Sequence, residues 1–272
     1  MVLRVVGIAV VLIGAIWAVA SLGLTWSDLS LFHLALNLFL LTPALLVVAA
    51  LSFKITALAL RRDVSNSLAI HTVAAANVAE LLPLPGGALV RGGALVKLGA
   101  GVGEATRAVL LTALLTLALT VMLSGVALGM LSNALWYWVA VGALAAVFVV
   151  LGLLGRHVAP RYLPAMVAVR LVTLLLTVCR LVAAFGALGA DLGWIEATLY
   201  AVAPTLGTAV GIVPAGLGVN EAIAAGLATI IAGPAATAFL SVALNRALDL
   251  SVGAFWVLCF STKRVLGGRK GS

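Results

Sequence analysis

Residues 68–98 read LAIHTVAAANVAELLPLPGGALVRGGALVKL, an apolar stretch that is broken near its centre by Pro83-Leu84-Pro85-Gly86-Gly87. Proline removes a helical hydrogen bond, and glycine lets the backbone turn before another helix begins. The two arms that are left are too short to cross a hydrocarbon core of about 30 Å. Irregular backbone at membrane depth also needs protein or water to satisfy its polar groups. This stretch therefore predicts a re-entrant helical hairpin.

A second apolar stretch, residues 195–232, is broken in the same style by Val213-Pro214-Ala215-Gly216-Leu217-Gly218. Its proline and glycine align with those of the first break, Pro85-Gly86-Gly87 against Pro214-Ala215-Gly216. We expect a second re-entrant hairpin here. Its first arm, residues 195–212, is nearly long enough to span a membrane, so a full span is the alternative.

The composition excludes a soluble globular protein. Of 272 residues, 64% are hydrophobic and 9% are charged, whereas ordinary domains carry about 25% charged residues. The mean hydropathy of +1.29 agrees with this conclusion. Uninterrupted apolar runs of about twenty residues predict transmembrane helices. They lie at residues 5–24, 31–53, 108–131, 135–154, 163–188 and 235–260. The expected fold is an all-α polytopic membrane protein with six spans and two re-entrant hairpins.

The basic residues indicate the orientation in the membrane. If the N-terminus is cytoplasmic and each hairpin returns to the side it enters from, thirteen of the sixteen Lys and Arg residues lie on the cytoplasmic side and none lies in an outer loop. This is the positive-inside pattern. It predicts a multi-pass protein of the cell inner (plasma) membrane with both termini in the cytoplasm, and residues 261–272 as a cytoplasmic basic tail. Inside the spans lie Arg170, Arg180 and Arg246.

This assignment also predicts an internal repeat. Residues 1–131 and residues 135–260 each contain two spans, a broken hairpin and one more span, and the two halves enter the membrane from opposite sides. Inverted repeats with broken helices are a recurring plan of secondary transporters, whose substrate site lies between the repeats. The alternative is that the hairpins only pack the bundle, with glycine allowing close helix approach.

Two motifs carry a family resemblance. Asn77-x-x-Glu80-Leu81-Leu82-Pro83-Leu84-Pro85-Gly86-Gly87, followed by Leu89-Val90-Arg91, resembles the first motif of the lysylphosphatidylglycerol synthase transmembrane region. Val210-Gly211-Ile212-Val213-Pro214-Ala215-Gly216-Leu217-Gly218-Val219-Asn220-Glu221-Ala222, with Asn245-Arg246 beyond it, is similar to the second. The usual Pro-Gly-Gly-Leu-Gly is Pro-Ala-Gly-Leu-Gly here.

The resemblance implies a function in lipid transport. In bifunctional members this region is the flippase half, which moves aminoacylated phospholipid between leaflets, and a soluble aminoacyl-transferase domain follows it. This sequence ends at Ser272 without such a domain, so it resembles the stand-alone flippase-like members. Synthase activity is therefore not expected, and the identity of the lipid stays open.

The first hairpin contains a candidate phosphate site. The helix that restarts at Gly86-Gly87 presents free N–H groups and a positive dipole end, and Arg91 lies about one turn into it. A helix N-terminus together with an arginine suits a phosphate, and Glu80 is a candidate resting counter-ion. The alternatives are a structural Glu80–Arg91 pair, or an Arg91 side chain that extends to the cytoplasmic interface.

The second hairpin and the last span carry further ionisable groups. Glu221 follows Gly218 in the first turn of a helix, with Asn220 as a possible cap, and a carboxylate there complements the helix dipole. If it is embedded, it should face Arg180, Arg246 or water, and either exchange partners or take up a proton during transport. Arg246 and Asp249 share a helix face, as a self-satisfied pair or as headgroup contacts.

Two arginines of the fifth span receive different expectations. Arg180 has no acidic neighbour on its own helix, so we expect a partner on another helix, as a substrate contact or an inter-repeat contact. Arg170 lies nearer the cytoplasmic end and is expected to anchor the span at the interface.

The favoured hypothesis is a flippase-like transporter that moves an anionic or zwitterionic phospholipid or polyprenyl lipid headgroup between leaflets. The alternative is a non-transporting, lipid-binding or regulatory membrane partner of a separately encoded enzyme; a membrane-embedded lipid transferase is a third possibility. No enzymatic motif, metal site, cofactor or nucleic-acid contact is expected, whereas a homodimer or a partner membrane protein is possible. The candidate substrate-binding residues are Glu80, Pro85, Gly86, Gly87, Arg91, Arg180, Pro214, Gly216, Gly218, Glu221, Arg246 and Asp249.

Overall fold

A computed structural model describes residues 29–80, 86–210 and 218–267. Within these ranges the chain is helical and contains no β-strand. Five helices are long and apolar enough to cross a membrane, which makes the chain a multi-pass, all-helical membrane protein by length and composition. They are Leu31–Ala59, Val102–Leu131, Ala134–His157, Pro160–Ala187 and Ala235–Val257. They match five of the six predicted spans, and the sixth, residues 5–24, lies outside the described residues.

Besides short 3₁₀ segments at Ala134–Trp136 and Pro160–Tyr162, the described ranges contain ten helices, which we number in chain order. Their bounds are α1 Leu31–Ala59, α2 Asn66–Ala79, α3 Gly86–Lys97, α4 Val102–Leu131, α5 Tyr137–His157, α6 Leu163–Ala187, α7 Trp194–Tyr200, α8 Val202–Val210, α9 Val219–Ile230 and α10 Ala235–Gly267.

The first predicted hairpin corresponds to α2 and α3, which pack against each other. The two glycines at the start of α3 make this contact possible. A Cβ on Gly86 would overlap the carbonyl oxygen of Ala79, and one on Gly87 would come within 2.6 Å of Glu80 Oε1. Any side chain at these positions would push α3 away from the end of α2.

The second predicted hairpin corresponds to α7, α8 and α9. Its long first arm is interrupted at Ala201, between α7 and α8. Pro204 explains this break, because it has no N–H to donate to the carbonyl of Tyr200. Gly218 precedes α9 in the left-handed region, at φ 79°, where glycine is favoured. The first arm is therefore two short helices and does not form one long helix.

A wide turn interrupts α1 near its beginning. Asn37–Leu41 form a π-helical segment, in which the N–H of Thr42 donates to the carbonyl of Asn37. Pro43 follows at once, so the segment accommodates a residue that would otherwise clash with the preceding helical turn. The helix thus accommodates Pro43 through a π turn. As a result the Asn37 side chain is fully buried.

Most contacts between the helices are pairwise. Helix α1 packs on α6 along its length, α2 packs on α10, and α7 and α8 pack on α4. Helix α3 also packs on α4, and α9 packs on α10. Large apolar side chains such as Phe39, Trp138 and Phe148 point outward and are more than two-thirds exposed. This outward apolar surface is what a lipid environment requires.

The contact between α4 and α5 gives a test of this packing. A Cβ on Gly125 would lie 3.0 Å from the backbone nitrogen of Ala140, whereas one on Gly142 meets nothing within 4 Å. We expect Gly125→Leu to destabilise the detergent-solubilised protein by roughly 1–3 kcal/mol, because overpacking forces the helices apart. Thermal unfolding followed by tryptophan fluorescence measures the loss. An equal effect of the control, Gly142→Leu, would contradict this packing.

Candidate functional site: a buried polar cluster

The guanidinium group of Arg180, on α6, is buried, and all of its nitrogens have partners on other helices. Its side chain is 4% exposed, and Nη1 lies 2.9 Å from Asp249 Oδ1 of α10. Nη2 donates to the carbonyl of Asn245 at 2.8 Å, and Nε donates to Asn37 Oδ1 of α1 at 3.2 Å. Each of its three nitrogens is therefore engaged, and together they tie α1, α6 and α10. The partner on another helix that the sequence predicts is Asp249, and the contact with α1 fits an inter-repeat role.

Asn37 completes this network from the π turn of α1. Its amide nitrogen donates to Asn245 Oδ1 at 2.7 Å and to the carbonyl of Arg180 at 3.2 Å. The hydroxyl of Thr42 donates to Asn37 Oδ1 at 3.4 Å. Asn37 is not among the site residues that the sequence predicts. One feature of the sequence could have identified Asn37: it is an amide within an otherwise apolar span. An unpaired polar group there costs several kcal/mol, so a buried partner is expected.

Glu221 and Arg246 form a second ion pair, between α9 and α10. Arg246 Nη1 lies 2.7 Å from Glu221 Oε1, and the Glu221 side chain is fully buried. Of the three partners that the sequence predicts for Glu221, which are Arg180, Arg246 and water, the structure pairs it with Arg246. The other carboxylate oxygen, Glu221 Oε2, has no hydrogen-bond donor, and neither Asn220 Oδ1 nor Ser241 Oγ has a partner.

The self-satisfied pair of Arg246 with Asp249 is the wrong alternative. Although the two residues are three apart on α10, each ion-pairs with a different helix, Arg246 with Glu221 and Asp249 with Arg180. The reason is geometric, because α6 and α9 each bring a buried charge of their own against α10. A local pair would leave Arg180 and Glu221 without counter-charges in an apolar environment.

Glu80 and Arg91 form the loosest of the three ion pairs. Arg91 Nη2 lies 3.8 Å from Glu80 Oε1, and both side chains are more than one-third exposed. Asn77 Oδ1 accepts a long hydrogen bond of 3.5 Å from the same nitrogen. Glu80 therefore lies beside the first turn of α3, next to Gly87. The pair agrees with both alternatives that the sequence offers, a resting counter-ion and a structural Glu80–Arg91 pair, and Glu80 lies at the helix end where a phosphate is expected.

The ion pairs belong to one polar region. Arg246 and Asp249 lie on α10, which packs against α2, and Glu80 directly follows the last residue of α2. Gly253 of α10 lies against Asn77 of α2. We call this region the polar cluster; its charged members are Glu80, Arg91, Arg180, Glu221, Arg246 and Asp249.

The remaining candidate residues contribute through the backbone or lie elsewhere. Gly86, Gly87 and Gly218 shape the starts of α3 and α9. Pro85, Pro214 and Gly216 lie outside the described residues. Arg170, which is expected to anchor the fifth span at the interface, is half-buried on α6 and makes no ion pair with any described residue. No group of His, Cys, Asp and Glu side chains in the described ranges is suited to a metal ion.

The Arg180 network predicts a large effect on stability. We expect Arg180→Ala to destabilise the protein by about 3 kcal/mol, because it leaves a carboxylate and buried amides without their donor. The double variant Arg180→Ala/Asp249→Ala should recover part of this loss. Thermal unfolding in detergent measures both. Arg156→Ala, at an exposed position in the last turn of α5, is the matched control, and equal losses at the two positions would contradict the network.

Comparison with known proteins assigns no family. A scan of the chain against models of protein families gives no match, and no curated protein matches its sequence. The resemblance to the lysylphosphatidylglycerol synthase transmembrane region thus stays a hypothesis based on its two motifs.

Proposed function

We propose that the protein is a flippase-like transporter that moves a lipid with an anionic or zwitterionic headgroup between leaflets. One observation carries the proposal: three ion pairs, Glu80–Arg91, Arg180–Asp249 and Glu221–Arg246, lie in an otherwise apolar helical bundle. Ionisable groups cost roughly 2.5–3.5 kcal/mol each at the centre of a membrane span, so they usually mark a substrate path. A headgroup phosphate would bind to the arginines of these pairs while the acyl tails stay in the bilayer.

Arg91 and Arg170 are the best candidates to hold the phosphate. Arg91 is partly exposed and its ion pair with Glu80 is long, so a phosphate can replace Glu80 at small cost. Arg170 makes no ion pair with any described residue, so its guanidinium group is not committed to a carboxylate in the described ranges. A phosphate can accept charge-assisted hydrogen bonds from more than one arginine.

Helix packing supports the proposed inverted repeat. The proposed repeat pairs α1 with α6, α2 with α7 and α8, α3 with α9, and α4 with α10. When each helix is replaced by its counterpart, most pairs of helices that pack together become other pairs that also pack together. The contact of α2 with α10 becomes that of α7 and α8 with α4, and the contact of α3 with α4 becomes that of α9 with α10. In this arrangement the two hairpins are re-entrant and the polar cluster lies between the repeats, as in secondary transporters.

The two motifs that resemble the lysylphosphatidylglycerol synthase transmembrane region support the same function. Their described charged residues are Glu80, Arg91, Glu221 and Arg246, and all four belong to the polar cluster. A phospholipid is therefore our preferred substrate class. The sequence contains no ATPase motif, so we propose that movement is facilitated or driven by an ion gradient.

Reconstitution tests the transport proposal. In vesicles with fluorescent headgroup-labelled phospholipids, the protein should accelerate exchange between leaflets. Arg91→Ala and Arg170→Ala should each slow this exchange by about tenfold, since each removes a charge-assisted hydrogen bond to the phosphate. Arg107→Ala, an exposed residue of α4, is the control and should leave the rate unchanged.

Exchange no faster than in empty vesicles, across several anionic and zwitterionic lipids, would contradict transport. Mass spectrometry of lipids retained by the purified protein then separates the alternatives. A stoichiometric lipid without exchange activity would favour the lipid-binding or regulatory partner.

Cysteine labelling tests the proposed topology. In a background with Cys179 and Cys259 replaced by alanine, Asn133→Cys between α4 and α5 should react with an impermeant reagent added outside cells. Ala159→Cys between α5 and α6 should react only after permeabilisation, because consecutive spans alternate direction. Cysteines placed at positions 213–218 should not react from the cytoplasm. Reaction there from the cytoplasmic side would contradict the inverted repeat.

A further inference from the structure

Three buried oxygen atoms of α9 and α10 have no hydrogen-bond partner. They are Asn220 Oδ1, Glu221 Oε2 and Ser241 Oγ, and they make up three of the four such side-chain atoms in the described residues. Asn220 and Glu221 are consecutive at the start of α9 and are 4% and 0% exposed. A buried polar atom almost always has a partner, and leaving one without costs about 1–3 kcal/mol. The start of α9 thus presents two acceptor atoms that a hydrogen-bond donor would satisfy.

Packing holds these two acceptors in place. Asn220 Oδ1 lies against Gly207 of α8, where a Cβ atom would overlap it. The other carboxylate oxygen, Glu221 Oε1, accepts from Arg246 Nη1 of α10 at 2.7 Å. Because α9 packs on both α8 and α10, its first turn lies between these helices. Two fixed acceptors in one buried turn suit a ligand that carries more than one donor.

The charges around Glu221 select the class of ligand. Arg246 already supplies a positive charge to this carboxylate, and the start of α9 is the positive end of a helix dipole. An added cation would therefore be repelled by both. An added anion would be repelled by the carboxylate itself. A neutral hydroxyl group meets neither repulsion and can donate to a carboxylate or an amide oxygen.

We propose that the start of α9 binds hydroxyl groups of the lipid headgroup, so that the substrate is a phospholipid with a polyol headgroup. The inference rests on the proposed transport function and deepens it. Hydroxyl groups of a glycerol or sugar headgroup donate to Asn220 Oδ1 and Glu221 Oε2, while the Glu221–Arg246 pair stays intact. An ethanolamine headgroup would add a cation here, and a choline headgroup has no O–H or N–H group to donate.

The position of these acceptors fits such a role. Glu221 belongs to the polar cluster through its ion pair with Arg246, and α9 is the second arm of the second predicted hairpin. In secondary transporters the substrate site lies between the repeats and opens to one side at a time. The two acceptors are closed to solvent in this structure, which is the arrangement of such a site between its two openings.

Lipid binding to the purified full-length chain in detergent tests the proposal. Two probes, dioctanoyl phosphatidylglycerol and dioctanoyl phosphatidylinositol, carry a polyol. A third, dioctanoyl phosphatidylmethanol, has the same phosphodiester charge without a hydroxyl group. The wild type should bind the first two about tenfold more tightly than the third, since each donated hydrogen bond satisfies a buried acceptor. Dioctanoyl phosphatidylethanolamine should bind no more tightly than phosphatidylmethanol.

Two variants separate recognition from folding. Asn220→Ala removes one acceptor and keeps the ion pair, so affinity for both polyol lipids should fall by about fivefold, while that for phosphatidylmethanol should not change. Gly207→Ala keeps both acceptors but displaces Asn220 Oδ1, so it should reduce the same preference. Gly226→Ala, at an exposed position of α9 with nothing within 4 Å of the added Cβ, is the matched control and should keep the wild-type affinities.

Binding is measured without transport, so the two proposals can fail separately. A polyol preference that depends on Asn220 would support the site even if vesicles show no lipid exchange, which would contradict transport alone. Equal affinity of the wild type for phosphatidylglycerol and phosphatidylmethanol would overturn the site, because its acceptors would then bind nothing but water. An equal loss of affinity for every lipid in Asn220→Ala and Gly207→Ala would overturn it as well, because that result indicates a purely structural role.

Discussion

The buried guanidinium group of Arg180 constrains how the helices of this protein can meet. A charge that is almost fully withdrawn from solvent needs a counter-charge and hydrogen-bond acceptors around it. No acidic residue lies within one turn of Arg180 on α6, so other helices must supply them. Asp249 and the carbonyl of Asn245 come from α10, and Asn37 comes from the π turn of α1. The crossing of α1, α6 and α10 is therefore determined by one side chain, and the hairpins pack around this crossing.

The sequence predicts the elements well and their polar contacts less well. Apolar runs and Pro-Gly breaks act over a few residues, so five spans and the short helices follow directly from residues 31–260. Ion pairs depend on which helix faces which, and composition carries no such information. Asp249 therefore looks like a partner for Arg246 and is in fact one for Arg180. The role of Asn37 is harder still to predict, because its position depends on a π turn. Pro43 favours such a turn, but a proline alone does not predict one.

The proposed repeats differ in where they place charge. Asn245 and Asp249 lie as far from the start of α10 as Thr112 and Thr116 lie from the start of α4. These threonines donate to carbonyls of their own helix, so they satisfy themselves and attract no charged partner. Helix α4 of the first proposed repeat would then pack without ion pairs, whereas its counterpart α10 in the second repeat carries them. Similar backbones would thus have different roles, and only the contacts of the charged helix could change when a substrate binds.

The three ion pairs differ in how easily they can change, and this difference separates structural from functional roles. All three nitrogens of Arg180 are engaged, so breaking that pair exposes several unsatisfied groups at once and it is suited to hold the fold. The Glu80–Arg91 pair is long and partly exposed, so an incoming phosphate loses little by replacing the carboxylate. The Glu221–Arg246 pair is short and buried, but one of its carboxylate oxygens is empty. Glu221 is therefore held through one oxygen only, which makes this pair less completely bound than the Arg180 network and less open to solvent than the Glu80–Arg91 pair.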